Sequence, residues 1–403
     1  LRTKPSSRLP AVDFSVPFGT LAQFSEDISS LAEELRSLIV APNPRKDPPT
    51  FNSTQVMEMC GLDRQRFNYL LHQTELPKGQ LQSNKRTRIF TLEELRKWII
   101  EASSIPKSPI ARGLPGRGKI VVVNQLKGGS AKTTTAMCLG QGLNLMGRKV
   151  LVIDLDPQSS ITELCGMYAE RDVGEEDTVM PFIYEPDTFD IKTLVKTTYW
   201  DGLDVIPAHQ TLFAAEFHLP AMVNKDPRFK FWDVFRAGFD SFREDYDYII
   251  LDTAPSLSYV TINALFAADA MVMPLVPESL DFISSVSFWS LFSNMYETVV
   301  KHDPALAERQ YDFVSVLLSK VDYSPASSAP VVRDWARRAY GEWLHPIEIP
   351  VSRQMSASGL GLSTVFDFSS DDARRASTTR IREPLANYCQ WIDDKYKKEW
   401  SDS

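Results

Sequence analysis

Lys119-Ile-Val-Val-Val-Asn-Gln-Leu-Lys-Gly-Gly-Ser-Ala-Lys-Thr-Thr-Thr135 reads as a buried strand running into a phosphate cradle at the start of a helix. Ile120 to Val123 is short, β-branched and unbroken by charge, which suits a strand covered on both faces of a parallel sheet. Gly128 and Gly129, lacking Cβ atoms, let the backbone turn tightly and lay N–H groups against phosphate oxygens at the start of a helix expected over Ala131–Met146. Within Lys127, Gly128, Gly129, Ser130, Ala131, Lys132, Thr133 and Thr134, Lys132 is the point charge for β- and γ-phosphates and the Thr133 hydroxyl the ligand for Mg²⁺. The pattern G-x-x-x-x-G-K-[ST] is not met, because Leu126 and Ala131 stand at its glycine positions.

Two further apolar runs close on carboxylates. Lys149-Val-Leu-Val-Ile-Asp-Leu-Asp-Pro-Gln158 ends in Asp154 and Asp156, and Tyr248-Ile-Ile-Leu-Asp252 ends in Asp252. In an open α/β sheet ligands bind at the carboxyl ends of the strands. The second run has the Walker B form, which assigns Asp252 to Mg²⁺ through water. Further strands are expected at Leu203–Pro207, Ala270–Val276, Asp312–Ser319 and Pro346–Pro350, with a helix over Ser284–Val300. Strands alternating with helices predict an α/β fold with a doubly wound, mainly parallel sheet over 119–403.

The 403 residues, 43% of them hydrophobic, are enough for two or three folded units. With 44 basic and 52 acidic residues the net charge is −8, so contact with nucleic acid has to be local. Cys60, Cys138, Cys165 and Cys389 lie far apart without metal or disulfide spacing and fit a reducing compartment. The histidines show no metal or catalytic spacing. No apolar run reaches membrane-spanning length, and the first residues lack a signal-peptide core, so the expected location is the cytoplasm.

Residues 1–50 read as a mobile arm followed by a helix. Leu21, Phe24, Ile28, Leu31, Leu35 and Leu38 recur at spacings of three and four, a seam suited to dimerisation or to packing on the next domain. Residues 51–102 form a separate module in this reading: a helix capped by Ser53 or Thr54, a turn at Gly61, and a second helix from Asp63 showing Arg64, Arg66 and Asn68. A basic hairpin with Lys85, Arg86 and Arg88 follows, then a Thr91–Glu94 capping box. From 51 to 118 there are eleven basic and six acidic side chains, net +5, a local contrast that favours DNA. Residues 103–118, rich in Pro and Gly, read as a linker.

The form K-G-G-x-x-K-[ST], the Asp154-Leu-Asp-Pro-Gln158 strand end, the Asp252-Thr-Ala-Pro255 loop and the preceding module together resemble the ParA-type partition ATPases. Thr178–Ala221 and Phe366–Asp394 are similar to the RepA partition proteins of RepABC-type plasmids. The resemblance implies a deviant P-loop ATPase using ATP/ADP and Mg²⁺, with weak hydrolysis stimulated by DNA and by a ParB-type centromere-binding partner. It implies an ATP-dependent homodimer in which Lys127 crosses to the partner's nucleotide, Asp156 orients the attacking water and Asp154 supports the lysines or the water. It also implies operator binding and autoregulation by the N-terminal module, and non-specific DNA binding, placed here on Arg353, Arg374, Arg375 and Arg382. Ala131 departs from the commoner Gly and puts turnover in question more than binding, because a positive φ there costs Ala roughly 1–2 kcal/mol. A nucleotide-controlled transcriptional regulator with little hydrolysis is the alternative. A membrane-positioning ATPase is disfavoured because Trp391–Trp400 mixes lysines with Asp393, Asp394 and Glu399.

Overall fold

The computed structural model describes residues 16–39, 46–82, 87–103, 118–351, 362–368 and 375–401. The chain divides into two units, Leu1–Lys46 and Asp47–Ser403. In the first, α1 (Phe18–Ile39) follows the expected seam, and Phe18, Leu21, Phe24, Ile28 and Leu31 are all exposed on it.

The second unit opens on a small antiparallel sheet in the order β1 (Phe51–Asn52), β3 (Arg88–Phe90), β2 (Gln80–Leu81). Three helices surround it: α2 (Ser53–Met59), α3 (Arg64–Gln73) and α4 (Leu92–Ser103). The cap of α2 is Asn52 rather than Ser53 or Thr54: its side chain accepts from the N–H groups of Thr54 and Gln55, and the Gln55 side chain accepts from Asn52 N–H. Asp63 caps α3 by accepting from Arg66 N–H at 2.7 Å. Thr91 and Glu94 make the reciprocal bonds that open α4. Phe67 stacks on Trp98 with ring centroids 4.7 Å apart, and Trp98 Nε1 donates to the Pro77 carbonyl, so the indole is buried without an orphaned donor.

An eight-stranded sheet follows: β4 (Lys119–Val123), β5 (Val150–Leu155), β6 (Lys196–Thr197), β7 (Leu203–Ile206), β8 (Tyr248–Thr253), β9 (Ala270–Leu275), β10 (Phe313–Val321) and β11 (Leu344–Pro350). Their order across the sheet is β11-β10-β9-β4-β8-β5-β7-β6, parallel throughout except at β6. This is the doubly wound sheet the alternation of elements predicts; only the short edge strand β6 had no signal. Val121 and Val123 face one apolar cluster while Ile120 and Val122 face another, so the period of two along an unbroken apolar run buries both faces. On the first face lie α5 (Lys132–Asn144) and the C-terminal helix Arg375–Ser401. On the second lie Tyr259–Ala267, Ser279–His302 and Ala329–Tyr340.

The module of residues 51–103 has no core of its own that stops at its edge. Phe51, Phe67, Phe90, Trp98 and Ile99 belong to the same apolar cluster as Leu143, Leu145 and Trp200 of the large sheet layer. Helix α4 lies against two glycines with positive φ: a Cβ on Gly202 would fall on the Arg96 guanidinium, and one on Gly147 would meet Ile99 at 2.6 Å. Arg96 also pairs with Asp201 at 3.0 Å. The C-terminal helix is fastened to the end of α5 by a buried two-pronged pair, Arg148 to Asp393 at 2.7 and 3.0 Å, with Tyr248 Oη donating to the same carboxylate. Most of the expected linker, residues 104–117, lies outside the described residues.

Candidate functional site

The strand order sets the site. Because β8 lies between β4 and β5, Asp252 is in register with Val123 on one side and with Asp154 on the other. The ends of three neighbouring strands therefore deliver the phosphate loop, Asp252 and the Asp154–Asp156 pair to one sheet edge.

The loop after β4 has the geometry its glycines permit. Gly129 sits at φ 76° and Ala131, the residue capping α5, at φ 74° and ψ 24°. Ala131 thus adopts the left-handed conformation at a position where the commoner residue has no Cβ, a strain of roughly 1–2 kcal/mol. Gly128 and Gly129 face open space, whereas Lys132 and Ser130 are buried. Lys132 Nζ donates to the Lys127 carbonyl at 3.3 Å. Burial pulls the Lys132 ammonium below its usual pKa, and the carboxylates of Asp252 and Asp156 oppose that fall.

Asp252 is fully buried at the end of β8. Both of its carboxylate oxygens are buried without a hydrogen bond of good geometry, the Thr133 hydroxyl standing near enough to act on its pKa. Burial and the neighbouring Asp154 push that pKa well above the ordinary carboxylate range. Asp154 is spent differently: it accepts from Thr162 N–H at 2.9 Å, Thr162 Oγ1 at 2.7 Å and Asp156 N–H at 3.2 Å, and burial still raises it to about 7. The Asp156 carboxylate accepts from Gln158 N–H at 3.0 Å. Asn124 Oδ1, Gln125 Nε2 and Ser130 Oγ, all at the mouth of the loop, are likewise buried without partners. A cluster of unsatisfied polar atoms around a buried lysine and a buried carboxylate is a site shaped for a polar, charged occupant.

The donor set fits Mg²⁺ held with phosphate. Among the described residues no three His, Cys, Asp or Glu side chains converge on a self-sufficient metal site. Asp252 and the Thr133 hydroxyl offer hard oxygen, which suits an ion that keeps several waters and takes its other ligands from phosphate.

On the module, Arg64, Arg66, Asn68 and Tyr69 are exposed along α3 while Phe67, Leu70 and Leu71 are buried beneath them. Arg66 lies 5.4 Å from the Tyr69 ring centroid. Arg88 is bound into the hairpin, donating to the Lys78 carbonyl at 2.7 Å. Lys85, Arg86, Arg353 and Arg374 lie outside the described residues, and of Arg375 only the backbone, opening the last helix, is described. Arg382, the fourth arginine of that set, is half-buried. Its guanidinium lies 5.6 Å from the Phe366 ring centroid, donates to the Phe368 carbonyl at 3.4 Å, and lines a cavity of about 360 Å³ with Glu58, Met59 and Asp393. Partial burial lowers its pKa, and its charged end lies over the Phe366 ring.

Two residues at the site had no signal in the sequence. Thr162, on the short helix after Asp156, bonds Asp154 and also accepts from Ala208 N–H, tying β5 to the segment after β7. Lys320, at the end of β10, donates to the Gly129 carbonyl at 2.7 Å from 191 residues away.

An AAA domain family model matches residues 118–303. The chain is 29% identical over 291 residues to protein SopA of Escherichia coli strain K12, covering 70% of this chain and 72% of SopA. It is 37% identical over 167 residues to the chromosome partitioning protein ParA of Myxococcus xanthus strain DK1622, covering 41% of this chain and 54% of that one. The chain resembles the ParA-type partition ATPases. A solved structure titled Partition Protein shares the fold over 94% of this chain and 98% of its own, with a TM-score of 0.64 at 18% identity. The matched segment contains the phosphate loop and all three strand-end carboxylates. No helix among the described residues is long and apolar enough to cross a membrane.

Proposed function

We propose that this chain hydrolyses ATP to move and hold DNA during partition, cycling between an ATP-bound homodimer and a weaker-binding ADP form. The observation that carries the reading is the Asp252 carboxylate, buried with neither oxygen properly bonded, beside Lys132, Thr133 and an open glycine loop. Burying such a group is costly even beside Lys132, and a bound Mg²⁺–nucleotide would offset the cost. The backbone N–H groups of 128–133 and the dipole of α5 take the phosphates, and Lys132 leaves the Lys127 carbonyl to neutralise them. Mg²⁺, when bound by Thr133 and, through water, Asp252, supplies charge stabilisation for the leaving phosphate. Asp156 accepts from the attacking water, and Asp154, fixed by Thr162, holds the strand end that presents it. Lys127, half-buried at the loop's entrance, reaches the nucleotide of the partner subunit.

In the same reading α3 reads an operator through Arg64, Arg66 and Asn68, with Lys85 and Arg86 of the hairpin on phosphate, and α1 pairs with its copy through its exposed seam. Non-specific DNA binding falls to Arg353, Arg374, Arg375 and the half-buried Arg382. A ParB-type centromere-binding protein and DNA stimulate the weak turnover, and the protein works at the nucleoid in the cytoplasm. The positive φ of Ala131 favours a second reading, a nucleotide-controlled regulator with little hydrolysis. ATP turnover measured with and without Mg²⁺, DNA and the cognate partner separates the two. Stimulated turnover supports partition, and tight ATP binding with none under any condition supports the regulator.

A further inference from the structure

Strand β10 departs from regular pairing where it meets the phosphate loop. Against β11, Leu318 pairs with Glu348 but Val321 pairs with Pro350, so three steps along β10 match two along β11. The extra residue is a bulge, and within it Lys320 takes φ 53°, a left-handed conformation that a long side chain adopts at a cost. Bulges turn a side chain out of the alternating pattern of its strand. Here the turned side chain carries its ammonium to the carbonyl of Gly129, 2.7 Å away.

In a planar trans peptide the C=O and the following N–H point to opposite sides. Holding the Gly129 oxygen from outside the loop therefore aims the Ser130 N–H inward, toward the cradle formed by Gly128 to Lys132. We propose that Lys320 is a positioning residue for nucleotide binding, which fixes the Gly129–Ser130 peptide so that its N–H is already turned to the phosphates. The inference rests on the reading of this loop as a nucleotide site. A preset donor avoids the reorientation that a glycine pair would otherwise undergo on binding, so the effect falls on ATP and ADP alike.

The test uses the full-length protein, with Lys320→Met, Lys320→Gly and Lys320→Arg. Gly accepts φ 53° without strain, so Lys320→Gly keeps the bulge and removes only the ammonium. Both Lys320→Met and Lys320→Gly are expected to weaken Mg-ATP and Mg-ADP about tenfold, the loss of one charge-assisted hydrogen bond, and Lys320→Arg to restore most of the affinity. Without nucleotide, both are also expected to speed amide hydrogen exchange across 128–132. Weakening of ATP alone would mean direct contact with the terminal phosphate and overturn the positioning role. Wild-type affinity in Lys320→Gly would overturn it too, as would unchanged exchange in the loop. If wild-type protein binds no nucleotide, the nucleotide reading fails, and the exchange measurement still decides whether Lys320 orders the loop.

Discussion

At the ends of β4, β5 and β8 the molecule buries a lysine and three carboxylates and holds an alanine at φ 74°. On α3 it does the reverse, setting Arg64, Arg66, Asn68 and Tyr69 in solvent over a fully apolar underside, on a helix properly capped by Asp63. The first region violates the rules of a stable interior and the second obeys them. Both departures from a bland surface or core point to a ligand, but the energy sits in different places. A buried unsatisfied site costs stability until it is filled, whereas an exposed polar face costs nothing and gains only when its partner arrives.

The two lysines of the loop give the sharpest test of the buried site. Lys132→Ala is expected to weaken ATP binding at least a hundredfold, about 2.7 kcal/mol, by calorimetry. Lys127→Ala is expected to bind ATP nearly as well yet stay monomeric in light scattering. Equal loss of binding in both would remove the distinction between a lysine serving its own subunit and one serving the partner.

If Asp252 is a stored cost, replacing its ionisable carboxyl must stabilise the empty protein. Asp252→Asn is expected to raise the unfolding free energy without nucleotide by roughly 1–3 kcal/mol while abolishing the Mg²⁺ dependence of ATP binding. The pH dependence has the same origin. Asp154, raised to about 7, and Asp252 hold protons in the folded state that the unfolded chain, with carboxyls near 3.8, releases. Stability of the nucleotide-free protein is therefore full below pH 3.8 as far as these groups go, and is lost as pH rises through about 7. Denaturant melts from pH 4 to 8 read this slope, which Asp252→Asn should flatten; a wild-type slope of zero would mean the carboxylates are already compensated.

The exposed face should behave oppositely. Arg66→Ala is expected to cost about 1–3 kcal/mol of preference for the operator over random duplex if it makes a bidentate base contact, and to change stability by less than about 0.5 kcal/mol. A large fall in melting temperature would place Arg66 in the packing with Tyr69 instead. The smallest effect belongs to the strained alanine: Ala131→Gly is expected to stabilise the empty protein by about 1 kcal/mol, and a faster turnover in the same variant would tie the strain to hydrolysis.

The run Ile120–Val123, the Gly128–Gly129 pair and the runs closing on Asp154 and Asp252 are local patterns, and each is read from neighbours in the chain. They suffice for the parallel sheet and for the side of it that carries the site, because an apolar run with no polar alternation has to be covered on both faces. The amphipathic spacing on α1 and α3 is local in the same way. What the chain order does not hold is which strands stand side by side. Only the insertion of β8 between β4 and β5 places Asp252 beside Asp154, which helps to push its pKa up. Arg382 had the helical spacing of a solvent-facing arginine, but the Phe366 ring and Phe368 carbonyl, brought up by the loop before its helix, draw it partly inward. Likewise nothing near Gly147 or Gly202 announces that α4 will lie on them, or that Lys320 will reach the Gly129 carbonyl across 191 residues. Periodicity records which face of an element is buried, and only packing in three dimensions selects what is buried against it.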